Sequence, residues 1–135
     1  MAELIHVVED DEDIRFIVEY VLVEAGYEVV TSGTAKDFYE KVAVQHPELI
    51  LLDVKLPDGN GINICRNLKT DKKTSHIAII IMSAHAAERA VLEEACANGF
   101  ISKPFDLDDM LNSVKRVLNG HDDYQQKQTR KNSNN

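Results

Sequence analysis

The sequence predicts a doubly wound α/β domain, with a five-stranded parallel sheet and five helices on its two faces. Three observations lead there. Leu4 to Val8, Leu49 to Leu52 and Ile77 to Met82 run almost continuously apolar, as strands covered by helices on both faces must be. Amphipathic stretches with helical spacing lie between them. Polar residues with chemical potential, Glu9, Asp10, Asp53, Ser83 and Lys103, fall where apolar strands end. Right-handed crossovers carry all such ends to one edge of a parallel sheet.

The elements follow in order. After the first strand, Ile14, Ile17, Val18, Val21, Leu22 and Ala25 keep helical spacing, and Gly26 marks the stop. Glu28 to Ser32 reads as a weaker strand. Thr34 caps a second helix carrying Ala35, Phe38, Tyr39 and Val42, which ends before Pro47. A short third helix spans Ile62 to Leu68, after the third strand. The fourth strand precedes a helix over 86–97, with Val91, Leu92 and Ala95 on one face and Gly99 as its stop. A brief strand, Phe100 to Ser102, leads through Lys103-Pro104 to a fifth helix, capped by Asp106, with Leu107, Leu111, Val114 and Leu118 inward. Residues 1–120 thus form one domain, and the polar stretch 121–135 reads as a disordered tail. There is no internal repeat.

Composition narrows the function. A chain of 135 residues with 44% hydrophobic content suffices for one core. Its net charge of -8, from 23 acidic against 15 basic residues, opposes direct contact with nucleic acid or an anionic membrane. No apolar run reaches the roughly 18 residues of a membrane span, and Met1 to Glu3 leads into a strand without a signal-like basic region. A soluble cytoplasmic protein is the expectation. Cys65 and Cys96, with no Cys or His at metal-ligand spacing, read as buried thiols outside any disulfide or metal site.

The strand ends bring three carboxylates, a hydroxyl and an ammonium into one crevice. Carboxylates that close repel one another unless a cation lies between them. Mg²⁺, a hard ion that keeps several waters beside carboxylate and phosphate oxygens, suits the place, and Mn²⁺ shares enough of this chemistry to substitute. Phosphoryl transfer gives each group a role. Asp53 is the nucleophile that becomes an aspartyl phosphate. Asp10 and Asp53 bind the metal directly, with Glu9 direct or through water. Lys103 pairs with a phosphoryl oxygen, the Ser83 hydroxyl donates to another, and the N–H of Ala84 assists.

With Glu9-Asp10 after strand one, Leu-Leu-Asp53-Val-Lys-Leu-Pro57, Met-Ser83-Ala84 and Lys103-Pro104-Phe105 in order, the chain resembles the receiver domains of two-component systems over about residues 4 to 118. The resemblance implies a flavodoxin-like strand order 2-1-3-4-5 and a metal contact from the Lys55 carbonyl. It also implies a cis Lys103–Pro104 peptide and a Ser83–Phe100 switch in which the ring swings inward on phosphorylation. The implied donor is a histidine kinase or histidine phosphotransfer protein, meeting the receiver around helix one, and the output goes to an unidentified downstream protein. Lys55 and His85, each two residues past a site residue, stand where the family tunes phosphoryl lifetime. Such a domain is an enzyme only in promoting its own phosphorylation and later hydrolysis. Three departures stand out: Glu9 for the more usual Asp, Ser83 where Thr is frequent, and Phe100 where Tyr is common. Phe100 keeps the ring but has no phenol for a surface hydrogen bond.

Plainer readings compete. An acidic run from Glu9 to Asp13 is ordinarily a solvated helix start; that reading holds for Glu12 and Asp13 but not for Glu9 and Asp10, which share an edge with Asp53. Asp58-Gly-Asn-Gly61 lacks the spaced ligands and final Glu of a calcium loop and reads as a turn. A hydrolase built on Ser83, His85 and Asp53 would need nucleophile-elbow glycines around the serine. A flavin carrier would need a phosphate-cradling loop where Glu9-Asp10-Asp11 stands. An inactive pseudo-receiver that only binds proteins is the alternative within the family. Phe16, Tyr20 and Val23 lie opposite the core stripe of helix one, either packed on helix five or offered to a partner.

Overall fold

In the computed structural model, which describes residues 2–84 and 97–120, the main sheet runs β2-β1-β3-β6-β7 with every pair parallel. Its strands are β1 (Leu4–Val8), β2 (Glu28–Ser32), β3 (Leu49–Asp53), β6 (Ala78–Ser83) and β7 (Gly99–Ser102). A two-stranded hairpin, β4 (Lys55–Leu56) with β5 (Gly59–Asn60), follows β3. The described helices are α1 (Glu12–Glu24), α2 (Ala35–Val44), α3 (Gly61–Thr70) and α4 (Leu107–Leu118). Without the hairpin the strand order is the expected 2-1-3-4-5. The helix expected over 86–97 lies, except for Ala97, outside the described residues, as do Cys96 and the tail 121–135.

Alternation along the strands divides the interior in two. Ile50, Leu52, Ile79 and Ile81 pack with Phe38 and Val42 of α2 and Ile64 and Leu68 of α3. Leu49, Leu51, Ile80 and Met82 pack on the other face with Val18 and Leu22 of α1 and Met110, Val114 and Val117 of α4. That explains the unbroken apolar runs: each neighbouring pair of residues feeds a different layer. No helix among the described residues is long and apolar enough to cross a membrane.

Caps fix the helix starts. Asp11 accepts from Ile14 N at 3.0 Å, Thr34 from Asp37 N at 3.0 Å, Asn60 from Ile62 N at 2.8 Å and Asp106 from Asp108 N at 2.7 Å. The Asp58 carboxylate also accepts from Ala35 N at 2.7 Å and Lys36 N at 3.0 Å, clipping the hairpin to the start of α2. Those two N–H groups favour the charged form and hold the Asp58 carboxyl below its usual range.

Several side chains depart from expectation. Ile17 is 46% exposed and Tyr39 40%, because each lies at the rim of its helix's buried stripe. Ala25 is the exposed C-cap of α1. In α4 the deepest positions are Met110, Ser113, Val114 and Val117, and Leu107, Leu111 and Leu118 flank them half-buried. Gly99 opens β7. Phe16, Tyr20 and Val23 are 69%, 59% and 52% exposed, so they form a surface patch and not a packing seam with α4.

A buried imidazole sits on the α2 side of the sheet. His6, only 1% exposed, has its Nε2 2.8 Å from the Ser32 hydroxyl and its ring 5.0 Å from that of Phe38. Burial first, and the Lys41 charge second, lower its pKa to about 4, against an opposing pull from Asp37. The unfolded chain therefore binds a proton that the folded chain refuses between about pH 6.5 and 4. The His6 contribution is complete at neutral pH and is lost on acidification, up to about 3 kcal/mol. Urea unfolding at pH 7 and pH 4.5 tests this: His6→Gln should lose much less stability than wild type between the two, and equal losses would refute it.

Candidate functional site

The carboxyl edge of the sheet gathers the polar residues that end the strands. Glu9 follows β1, its N–H bonded to the Ser32 carbonyl at 3.0 Å, and its side chain is 1% exposed. Asp10 beside it is exposed, and Asp11 turns the chain into α1. Asp53 closes β3 at 5% exposure, between Val8 of β1 and Ser83 of β6 at the ends of their strands. Glu9, Asp10 and Asp53 each offer an oxygen within 4.8 Å of the others.

Lys103 reaches this cluster from beyond β7. Its N–H bonds to the Ser83 carbonyl at 2.7 Å, and the Lys103–Pro104 peptide is cis. Its Nζ lies 2.5 Å from Glu9 Oε1 and 3.2 Å from Asp53 Oδ2. Burial raises the Glu9 pKa, as does the adjacent Asp53, against the opposing pull of Lys103. For Lys103, burial alone would lower the pKa, but the hydrogen bond it donates to Glu9 and the charges of Asp53 and Glu9 outweigh it and raise it. With all four groups ionised, three carboxylates face one ammonium, which leaves the charge that one divalent cation offsets. An oxygen-only donor set fits a hard ion such as Mg²⁺.

The other expected residues fall around this centre. Ser83 is 3% exposed at the end of β6, and Ala84 after it is exposed. Lys55 is exposed in β4, two residues past Asp53. Phe100 in β7 is half-buried against the α2/α3 layer. His85 lies outside the described residues. An apolar cleft of about 470 Å³ opens beside Lys103, between Ile14 and Ile17 of α1 and Pro104, Phe105 and Leu107.

Sequence reasoning missed Gly61, which it read only as part of a turn. A Cβ on Gly61 would stand 2.1 Å from the Asp53 carbonyl oxygen and 3.0 Å from Val54 Cα, so α3 begins hard against the end of β3. Its N–H bonds to the Val54 carbonyl at 2.8 Å. The available signal was a glycine directly after an N-cap asparagine, where no turn of the chain demands one.

A family model of the response regulator receiver domain matches residues 5–115. This chain belongs to that family. The alkaline phosphatase synthesis transcriptional regulatory protein PhoP of Bacillus subtilis is 30% identical over 118 residues, covering 87% of this chain and 49% of that protein. The DNA-binding transcriptional regulator NtrC of Azospirillum brasilense is 35% identical over 128 residues, covering 89% and 25%. This receiver thus spans about half or less of those two relatives. The crystal structure of a CheY-like receiver domain protein from Methanospirillum hungatei matches with a TM-score of 0.82 at 27% identity, covering 89% of this chain and 96% of that one. Receiver domains generally bind Mg²⁺ at an acidic site, and the acidic cluster of this receiver is Glu9, Asp10 and Asp53.

The tight seat of Gly61 yields a test. Gly61→Ala should destabilise the receiver by about 1–3 kcal/mol, as overpacking does, because the obstructing atoms are backbone. It should also displace the Asp53 and Val54 amide resonances in an NMR spectrum. A variant with wild-type stability and unmoved resonances would show that the contact does not hold the end of β3.

Proposed function

We propose that this receiver accepts a phosphoryl group on Asp53 in a Mg²⁺-dependent reaction and signals by the conformational change that follows. The observation that carries the proposal is the buried Asp53 carboxylate, with the Lys103 ammonium 3.2 Å away and two further carboxylates beside it. The donor is a phosphohistidine of a histidine kinase or histidine phosphotransfer protein. The apolar cleft at Pro104 and the exposed Phe16, Tyr20 and Val23 of α1 offer that partner apolar surface on the α1 side.

An Asp53 carboxylate oxygen attacks phosphorus in line, a P–O bond forms, and the P–N bond breaks with its electron pair returning to the donor imidazole. Glu9, Asp10 and Asp53, with the Lys55 carbonyl, would hold Mg²⁺, which would supply positive charge to offset that on the phosphoryl oxygens. Lys103 shifts from its carboxylate pairs onto one phosphoryl oxygen. The Ser83 hydroxyl donates to another, with the N–H of Ala84, and Phe100 follows Ser83 inward to change the face around β7. The receiver itself passes the signal on by a protein contact, since its charge of -8 disfavours direct contact with nucleic acid.

Labelling with a small phosphodonor and Mg²⁺ tests the assignment. Intact-protein mass spectrometry should show one added phosphoryl group, acid-stable and labile to hydroxylamine, that Asp53→Asn abolishes. Labelling of the Asn variant at the wild-type level would reject Asp53, and an unlabelled wild type would favour the pseudo-receiver.

Lifetime follows from the residues at the rim. Hydrolysis needs a water oriented in line, and Lys55 offers donors with no acceptor to hold one, while its stem obstructs the approach. By the resemblance alone, His85 is assigned a second tuning role, without the carboxylate that could orient a water. After donor removal, Lys55→Asn should lose its phosphoryl group faster than wild type, and equal or slower decay would exclude this role.

A further inference from the structure

Two of the three clustered carboxylates sit on the short connection between β1 and α1, where their own repulsion tends to push the chain apart. The backbone at this point leaves the sheet. Glu9 still donates its N–H to β2, through the Ser32 carbonyl. Its carbonyl is instead taken by Arg15 in the first turns of α1, whose Nη1 donates at 2.8 Å. The same nitrogen lies 3.5 Å from the Asp10 carbonyl. The Arg15 backbone N–H, in turn, bonds to the Asp11 carbonyl at 2.9 Å. One residue thus holds the carbonyls of Glu9, Asp10 and Asp11.

A separate feature explains how the guanidinium fits. Gly33 lies between β2 and α2, and a Cβ there would stand 2.9 Å from Arg15 Nη1 and 3.9 Å from the Glu9 carbonyl oxygen. The glycine leaves the space that the guanidinium fills. We propose that Arg15 is a positioning residue for the cation site: it grips the Glu9–Asp10 backbone from behind and presents both carboxylates toward Asp53, and Gly33 is the seat that lets it do so. The inference rests on reading Glu9, Asp10 and Asp53 as the Mg²⁺ site.

The geometry separates the two cations of the site. Lys103 lies on carboxylate oxygens and competes with a metal for them. Arg15 touches carbonyl oxygens, so it offsets the negative cluster without occupying a metal ligand. A charge-assisted bond to a fixed carbonyl also limits the motion of the side chain attached to that peptide. Groups that orient metal ligands in this way typically contribute 10–100-fold to metal affinity.

Isothermal titration with Mg²⁺ in wild type, Arg15→Met, Arg15→Lys, Gly33→Ala and the Arg15→Met/Gly33→Ala double variant tests the proposal, with metal-free melting followed by circular dichroism. Arg15→Met should weaken Mg²⁺ by about 10–100-fold. Arg15→Lys, able to reach one carbonyl, should recover part of the loss. Gly33→Ala should weaken Mg²⁺ although Arg15 is intact, and the double variant should be no weaker than Arg15→Met alone, because both changes remove one contact. Should Arg15→Met fail to fold, Gly33→Ala carries the decision. Wild-type Mg²⁺ affinity in Gly33→Ala and in folded Arg15→Met, even with a lower melting temperature, would reduce Arg15 to a structural role and overturn the inference. A wild-type protein that binds no Mg²⁺ would instead overturn the site reading on which it rests.

Discussion

Lys103 meets Glu9 across 94 residues of sequence and Asp53 across 50, and the rest of the architecture makes that meeting possible. Like charges held together at a partly buried edge would drive the loops apart without an internal cation. The ammonium is tethered where it is needed, since the Lys103 N–H is bonded to the Ser83 carbonyl at the end of the neighbouring strand. A parallel sheet is what allows this economy. All of its strands end on one side, and the chain reverses its direction of travel across the sheet beside β1 and β3, the two strands that deliver the acids.

Much of this was legible in the sequence because strand and site signals reinforced each other. The run Leu49-Ile-Leu-Leu-Asp53 reports a strand buried on both faces and the polar residue that ends it in one stretch. The caps Thr34 and Asp106 also emerged from local pattern, and the strand order followed from the resemblance to receiver domains. The stripe of α4 did not: Met110 and Val117 are deeper than Leu107 and Leu118, because the tilt of a helix on a twisted sheet decides which edge of a broad apolar face is covered.

The missed residues at the site share a different cause. Gly61 and Gly33 matter for volumes they leave empty, and Arg15 for a bond to backbone carbonyls. Neither kind of contribution follows a period along the chain. A single sequence announces carboxylates readily, whereas a fitted void is visible only when both of its walls are in place. His6 belongs with them, since an alternating strand pattern gives no indication that an imidazole inside an apolar run has a hydroxyl partner in the next strand.

The division of the interior into two layers bears on how such a domain diversifies. Ile50 and Leu51 are chain neighbours, yet their side chains belong to interiors separated by the full thickness of the sheet. Changes repacked beneath α2 and α3 are therefore largely independent of those beneath α1 and α4, as distant substitutions generally are. The helix carrying the exposed Phe16, Tyr20 and Val23 rests on one of these interiors alone. A lineage can remodel that recognition surface, together with its supporting core, while the opposite half stays as inherited and the shared strand ends keep their chemistry.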